Sequence, residues 1–188
     1  MMHLSPKYVI LFFLLLTLCI SCTKDIDFDQ AREYQFNPVV ESSLVFFNES
    51  ANAFIDQGAE VEIVQDFIFI DFFNDDFIVD NVEKISFNFE TQNSINRRFE
   101  LQVDLYDEAL GLQDSFVVIQ EASSDGQNEI ASHVEVFEDE RLVALKNTHI
   151  ILFTLRLLPG PNIDETTSGR IELKSKAVFY FEIKDVAL

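Results

Sequence analysis

The sequence predicts an all-β protein built as an antiparallel two-sheet β-sandwich with one or two short helices. Three observations carry this expectation. Apolar and polar residues alternate with a period of two along most of the chain after about residue 34, the pattern of a half-buried strand. Turn residues punctuate the gaps at Gly111, Asp125-Gly126 and Pro159-Gly160-Pro161. Only residues 138–147, EDERLVALKN, have clear helical spacing, with Leu142 and Leu145 on one side and acids in the first turn.

Taken in order, strands are expected at 42–48 (SSLVFFN) and 61–73 (VEIVQDFIFIDFF), with a short helix near 50–57 between them. Residues 82–92, VEKISFNFETQ, place Ile85, Phe87 and Phe89 on one face and Ser86, Asn88 and Glu90 on the other. After a polar turn at Asn93 to Asn96, residues 98–106 repeat the scheme with Phe99, Leu101, Val103 and Leu105 inward, and the two runs together read as a hairpin. Further strands follow at 116–122, 132–138, 149–158 and 170–184. Residues 67–73 and 149–155 are apolar on both faces, which suits central strands. Seven or eight strands in one unit fit an immunoglobulin-like architecture, with a closed barrel as the alternative. The tyrosine, tryptophan and cysteine hallmarks of true immunoglobulin domains are missing.

The beginning of the chain reads as a leader. Lys7 precedes an apolar run from Tyr8 to Ile20 of about 13 residues, where a membrane-spanning helix needs roughly 20. A cleaved secretory signal is therefore expected at 1–21. Ser21 supplies the small residue that must precede a lipidated cysteine, so Leu18-Cys19-Ile20-Ser21-Cys22 resembles a bacterial lipobox in which Cys19 takes the place of the usual leucine. The resemblance implies a lipoprotein whose Cys22 thiolate carries the lipid, palmitate included. Cys19 and Cys22 are the two cysteines of the chain. With one discarded and the other blocked, the mature protein has no disulfide, redox pair or thiolate metal site.

The following residues, CTKDIDFD, resemble the surface lipoproteins of Bacteroidota, in which a lysine and acids after the lipidated cysteine act as an export tag. The matching positions are Lys24, Asp25, Asp27 and Asp29, with Thr23 standing before the lysine and Ile26 splitting the acids. The resemblance implies an outer-membrane, lipid-anchored address, on the periplasmic or the cell-surface side with the surface favoured. Residues 22–33 are expected to form an acidic tether and 34–188 a single sandwich domain.

The chain carries 33 acidic and 13 basic residues, a net charge of −20, and loss of the leader removes Lys7 but no acid. Nucleic acid is excluded as a partner, because phosphate binding is built on Lys and Arg. The 20 phenylalanines, with no tryptophan, read as a Phe-filled core.

Candidate chemistry is sparse. The densest polar cluster, at 71–81, offers Asp71, Asn74, Asp75, Asp76 and Asp80 as oxygen ligands for calcium, although its spacing matches no EF-hand loop. His133 and His149 both begin expected strands and lack a recognised ligand spacing. No nucleophile motif stands in a supporting context, and the five glycines of the chain form no phosphate-cradling loop. The outward residues Asn88, Glu90, Gln102, Asp104 and Tyr106 read as a polar sheet face. The functional expectation is a non-enzymatic interaction or structural subunit of a cell-envelope assembly, needing no cofactor beyond its lipid. The alternative is a glycan- or calcium-dependent binding module, and an envelope hydrolase using paired carboxylates is the third class.

Overall fold

The computed structural model describes residues 35–184, so the leader, Cys22, Lys24, Asp25, Asp27 and Asp29 lie outside the described residues. The described residues form ten antiparallel strands: β1 Val39–Ser50, β2 Ile55–Asp56, β3 Ala59–Glu60, β4 Ile63–Phe69, β5 Val82–Asn93, β6 Phe99–Tyr106, β7 Leu112–Gln120, β8 Glu129–Phe137, β9 Ile150–Leu157 and β10 Arg170–Phe181. One four-stranded sheet has the order β1-β10-β5-β8 and the other β4-β9-β6-β7, with β2 and β3 forming a separate hairpin. This is the two-sheet sandwich expected, and its strand order is that of a jelly roll.

The core follows from the alternation. Ile85, Phe87 and Phe89 of β5 point inward, as do Phe99, Leu101, Val103 and Leu105 of β6, and all seven are buried. Phe87 meets Phe137 at 4.9 Å between ring centroids, Phe89 meets Phe116 at 5.7 Å, and Phe54 meets Phe99 at 5.2 Å. Burying each such side chain contributes about 1.5–3 kcal/mol. Phenylalanine is not confined to the core, however. Phe36, Phe46, Phe67, Phe69 and Phe77 are exposed.

Two expectations about strand partners are corrected. β5 and β6 do not form a hairpin: β5 pairs with β10 and β8, and β6 with β7 and β9. The connection between them is an arch that carries the chain from one sheet to the other. Asn93, fully buried, holds the arch by donating to the carbonyls of Arg97 and Glu121, each at 2.8 Å, while its Oδ1 accepts from the amide of Ile95 at 2.9 Å. The second correction concerns 67–73. Only β9 of the two doubly apolar runs is central; β4 is an edge strand, and the run past Phe69 leaves the sheet.

Helix α1 spans Asp76–Asn81 and α2 spans Asp139–Lys146. The second is the helix expected from EDERLVALKN. Its acids Asp139 and Glu140 sit in the first turn and Lys146 in the last, matching the helix dipole, while Leu142 and Leu145 are buried. The short helix expected near 50–57 is a single 3-10 turn, Ala51–Phe54, followed by β2. No helix among the described residues is long and apolar enough to cross a membrane.

Candidate functional site

A sandwich of two open sheets has two seams, each between the facing edge strands, and here the two are treated differently. The seam between β7 and β8 is closed. The His133 ring stacks on Phe116 with centroids 5.9 Å apart, Phe116 meets Phe137 at 6.2 Å, and α2 packs over this side. Arg141 of α2 ties the two sheets together, its Nε donating to Asp114 of β7 at 2.8 Å and its guanidinium pairing with Glu135 of β8. Burial pulls the Arg141 pKa down, but the hydrogen bonds and charges of Asp114 and Glu135 outweigh it and leave the group raised. Thr91 and Gln120 add a hydrogen bond across the interior.

The seam between β1 and β4 is open. It leads into a cleft of about 320 Å³ whose floor is made by Leu101, Phe153, Leu155 and Leu173. Val45, Phe47, Phe54 and Val64 form its walls, and Phe46 stands at the side. The backbone of β1 is irregular beside this cleft. The register between β1 and β10 shifts between Ser43 and Phe46, a bulge that β-strands use to re-aim side chains. Ser175 of β10 pins the bulge: its hydroxyl accepts from the amide of Val45 at 2.9 Å and donates to the carbonyl of Val45 at 2.8 Å. In consequence Leu44, Val45 and Phe47 pack against the core, whereas Phe46 is 64% exposed.

The opposite wall is equally unusual for an edge. β4 exposes Ile63, Val64, Phe67 and Phe69, with Phe67 and Phe69 in edge-to-face contact at 5.3 Å. Edge strands normally carry charge or proline to discourage pairing; β4 carries one charge, Asp66, among apolar residues, so its unpaired backbone groups are a template on which another strand can add. The polar groups at the cleft are Glu49 and Asp66, two carboxylates on opposite rims. Asp66 Oδ1 accepts from the amide of Phe67 at 2.8 Å. Neither carboxylate has an ion-pair partner among the described residues.

The residues singled out from the sequence are placed elsewhere. Segment 71–81 folds into a 3-10 turn, Phe72–Asn74, and α1. Asp75 caps α1 by accepting from the amide of Phe77 at 2.9 Å, and the Asp71 carbonyl accepts from the amide of Asn74 at 3.0 Å. Asp76 lies in the first turn of α1, and Asp80 acts on Lys146, whose ammonium donates to the carbonyls of Val79 and Val82 at 2.7 and 3.1 Å. Among the described residues, no group of three or more His, Cys, Asp or Glu is arranged to hold a metal ion. His133 sits within β8, facing inward and bonded to Glu135 at 2.8 Å, and His149 precedes β9 with its Nδ1 buried and unbonded.

The polar face expected from Asn88, Glu90, Gln102, Asp104 and Tyr106 is divided by the arch between the outer faces of the two sheets. Gln102 donates to Asp104 at 2.7 and 2.9 Å and Ser115 donates to it at 2.5 Å, which leaves Asp104 buried. Asn88 and Glu90 belong to the other sheet. There, with Ser132, Lys174 and Lys176, they line a shallow depression of about 430 Å³.

No protein-family model matches this sequence, and no curated protein matches it. Among solved structures, a protein of Parabacteroides distasonis ATCC 8503 superposes with a TM-score of 0.44 at 13% identity, over 62% of this chain and 37% of its own. The VP2 subviral particle of infectious bursal disease virus gives 0.42 at 9% identity, over 79% of this chain and 37% of its own. TmCBM61 in complex with β-1,4-galactotriose gives 0.31 at 10% identity, over 86% of this chain and 97% of its own. The chain thus spans well under half the length of the first two.

Proposed function

We propose that this protein is a non-catalytic binding module of the cell envelope, held at the outer membrane by a lipid on Cys22, and that it grips the apolar part of a partner in the β1/β4 cleft. The observation that supports the binding role is the asymmetry of the seams: one is sealed by a helix and an ion-pair network, the other is left open onto core residues. An apolar concavity with a few polar groups at its mouth is the general form of a binding site. A neutral aliphatic probe tests it. On adding 1-octanol to the purified full chain, the methyl NMR signals of Val64, Leu101, Leu155 and Leu173 shift, while that of Val118 near the closed seam stays. Unmoved signals at all four positions refute the cleft as a binding site. The lipid anchor has its own test, because labelled palmitate incorporation equal in wild type and Cys22→Ala removes that part of the reading.

A second reading is favoured by a separate observation, the shallow depression around Asn88, Glu90, Ser132, Lys174 and Lys176. Its amide, carboxylate, hydroxyl and ammonium groups suit the hydroxyls of a glycan. A glycan array in which signal falls for Asn88→Ala supports this role, and an array without signal sinks it. A calcium-dependent form of this reading draws on Asp71, Asn74, Asp75, Asp76 and Asp80, and requires a melting temperature that rises with calcium chloride and returns with EDTA.

A further inference from the structure

We infer that the occupant of the β1/β4 cleft is an extended protein segment that adds to the β4 edge, seats one large apolar side chain in the cleft, and carries a lysine or arginine two residues away. The inference rests on the proposed binding role of the cleft and names its ligand class.

Four features point to this chemistry. The cleft lies between two edge strands, and among the described residues β4 has a neighbour on one side only, β9. An incoming strand gains main-chain hydrogen bonds along such an edge and side-chain contacts at alternate positions. The amide of Phe67 is occupied by the Asp66 carboxylate at 2.8 Å, a local contact that a partner carbonyl can replace. That exchange frees the carboxylate for a partner's cation. Glu49 on the opposite rim offers a second carboxylate with no ion-pair partner among the described residues, in a chain whose net charge is −20. Charge complementarity therefore selects a cationic segment and rejects an acidic one.

The spacing follows from strand geometry. Successive side chains point to opposite faces, so the residue on the same face as the apolar anchor is two positions away. The Asp66 and Val64 side chains on β4 have this same relation, one at the rim and one in the wall. The expected signature is a large apolar residue, any residue, then Lys or Arg, or the reverse order. Exposed Phe67 and Phe69 on the outer face of β4 supply contacts for the intervening residue.

Selection from a library of random twelve-residue peptides displayed on phage, against the immobilised full chain, tests this directly. The expected result is enrichment of the apolar-x-basic signature. A synthetic peptide from that pool should lose at least about tenfold in affinity to Glu49→Gln combined with Asp66→Asn, and should bind more weakly as salt is raised. It should lose binding to Ala53→Phe, which fills the cleft from its margin. Absence of enriched peptides, or enriched peptides without the basic residue, overturns the inference. So does a dodecylammonium ion that binds the cleft where no peptide does, which would assign the site to a small amphiphile. The 1-octanol experiment keeps the two levels apart. Methyl shifts with octanol but no peptide signature leave the cleft as a binding site and remove only the strand-adding partner.

Discussion

The guanidinium of Arg97 and the carboxylate of Glu60 meet at 2.8 Å in the interior, tying the arch between β5 and β6 to strand β3. Arg97 also donates to the carbonyl of Pro161 at 2.6 Å, and the other oxygen of Glu60 accepts from the amide of Ile163 at 2.7 Å. One ion pair thus joins three segments distant in sequence. Removing one partner of a buried pair strands the other charge, at a cost of about 3–5 kcal/mol. Arg97→Ala and Glu60→Ala are each expected to fall in that range by urea unfolding. The double replacement Arg97→Met with Glu60→Leu should cost less than either single change, because no charge is left without a partner. Additive losses in the double variant would contradict this account.

Asn93 is the second fastening of the same arch. Its side chain makes three hydrogen bonds with no exposure to water, so Asn93→Leu leaves the Arg97 carbonyl and the Ile95 amide to find new partners, while the Glu121 carbonyl keeps Gln120 Nε2 at 3.2 Å. Each unsatisfied buried group costs about 1–3 kcal/mol. The expected loss is about 2 kcal/mol or more, and Asn93→Asp, which keeps the acceptor for Ile95 but turns a carboxylate oxygen toward the carbonyls of Arg97 and Glu121, should recover none of it. A loss below about 1 kcal/mol for Asn93→Leu would show that the arch holds without this side chain.

This arch also marks how far the sequence could be read. Alternation in 82–92 and 98–106 identified the inward residues, from Ile85 to Leu105, because burial acts on each strand separately. It could not identify the partners, since two strands facing each other across a core show the same alternation as two strands paired in one sheet. The informative residue was Asn93, which reads as a turn former but works as a buried latch. The cleft was hidden for a related reason. Phe67 and Phe69 look like one face of a central strand, and nothing local to IVQDFIF reports that no described strand pairs with the far side of β4. Segment 71–81 was conspicuous because its acids are dense, yet Asp75 acts as a helix cap. The ends of α2 were legible because charge, spacing and caps all lie within a few residues.

Lys146 gives a pH dependence with a definite sign. Burial lowers its pKa from the ordinary lysine value, about 10.4, while Asp80 and Glu83 act to raise it. Between the lowered folded value and the ordinary one, the unfolded chain binds more protons at this site than the folded chain. Stability contributed by this group therefore rises with pH through that window, and the cost of the buried charge is present in full below it. Lys146→Met should flatten the slope of urea midpoint against pH in alkaline buffers relative to wild type. Parallel slopes would mean that Lys146 is not held below its ordinary pKa.

The bulge in β1 offers the most direct link between stability and the proposed site. Ser175 holds both polar groups of the Val45 backbone, at 2.9 and 2.8 Å, on the inner side of β10. Ser175→Ala removes both bonds, with an expected loss of about 1–3 kcal/mol. If the bulge shapes the cleft, the substitution should also weaken binding of 1-octanol, although Ser175 is not among the cleft-lining residues. Ser42→Ala, in the same strand before the bulge, is the control: its hydroxyl donates only to the neighbouring Ser43 carbonyl at 3.4 Å, and stability should change by less than about 0.5 kcal/mol. Octanol affinity that survives Ser175→Ala while stability falls would show that the bulge stabilises the sheet without shaping the cleft. Loss of both, with Ser42→Ala unchanged, would place the opening of the seam under the control of one hydroxyl on the neighbouring strand.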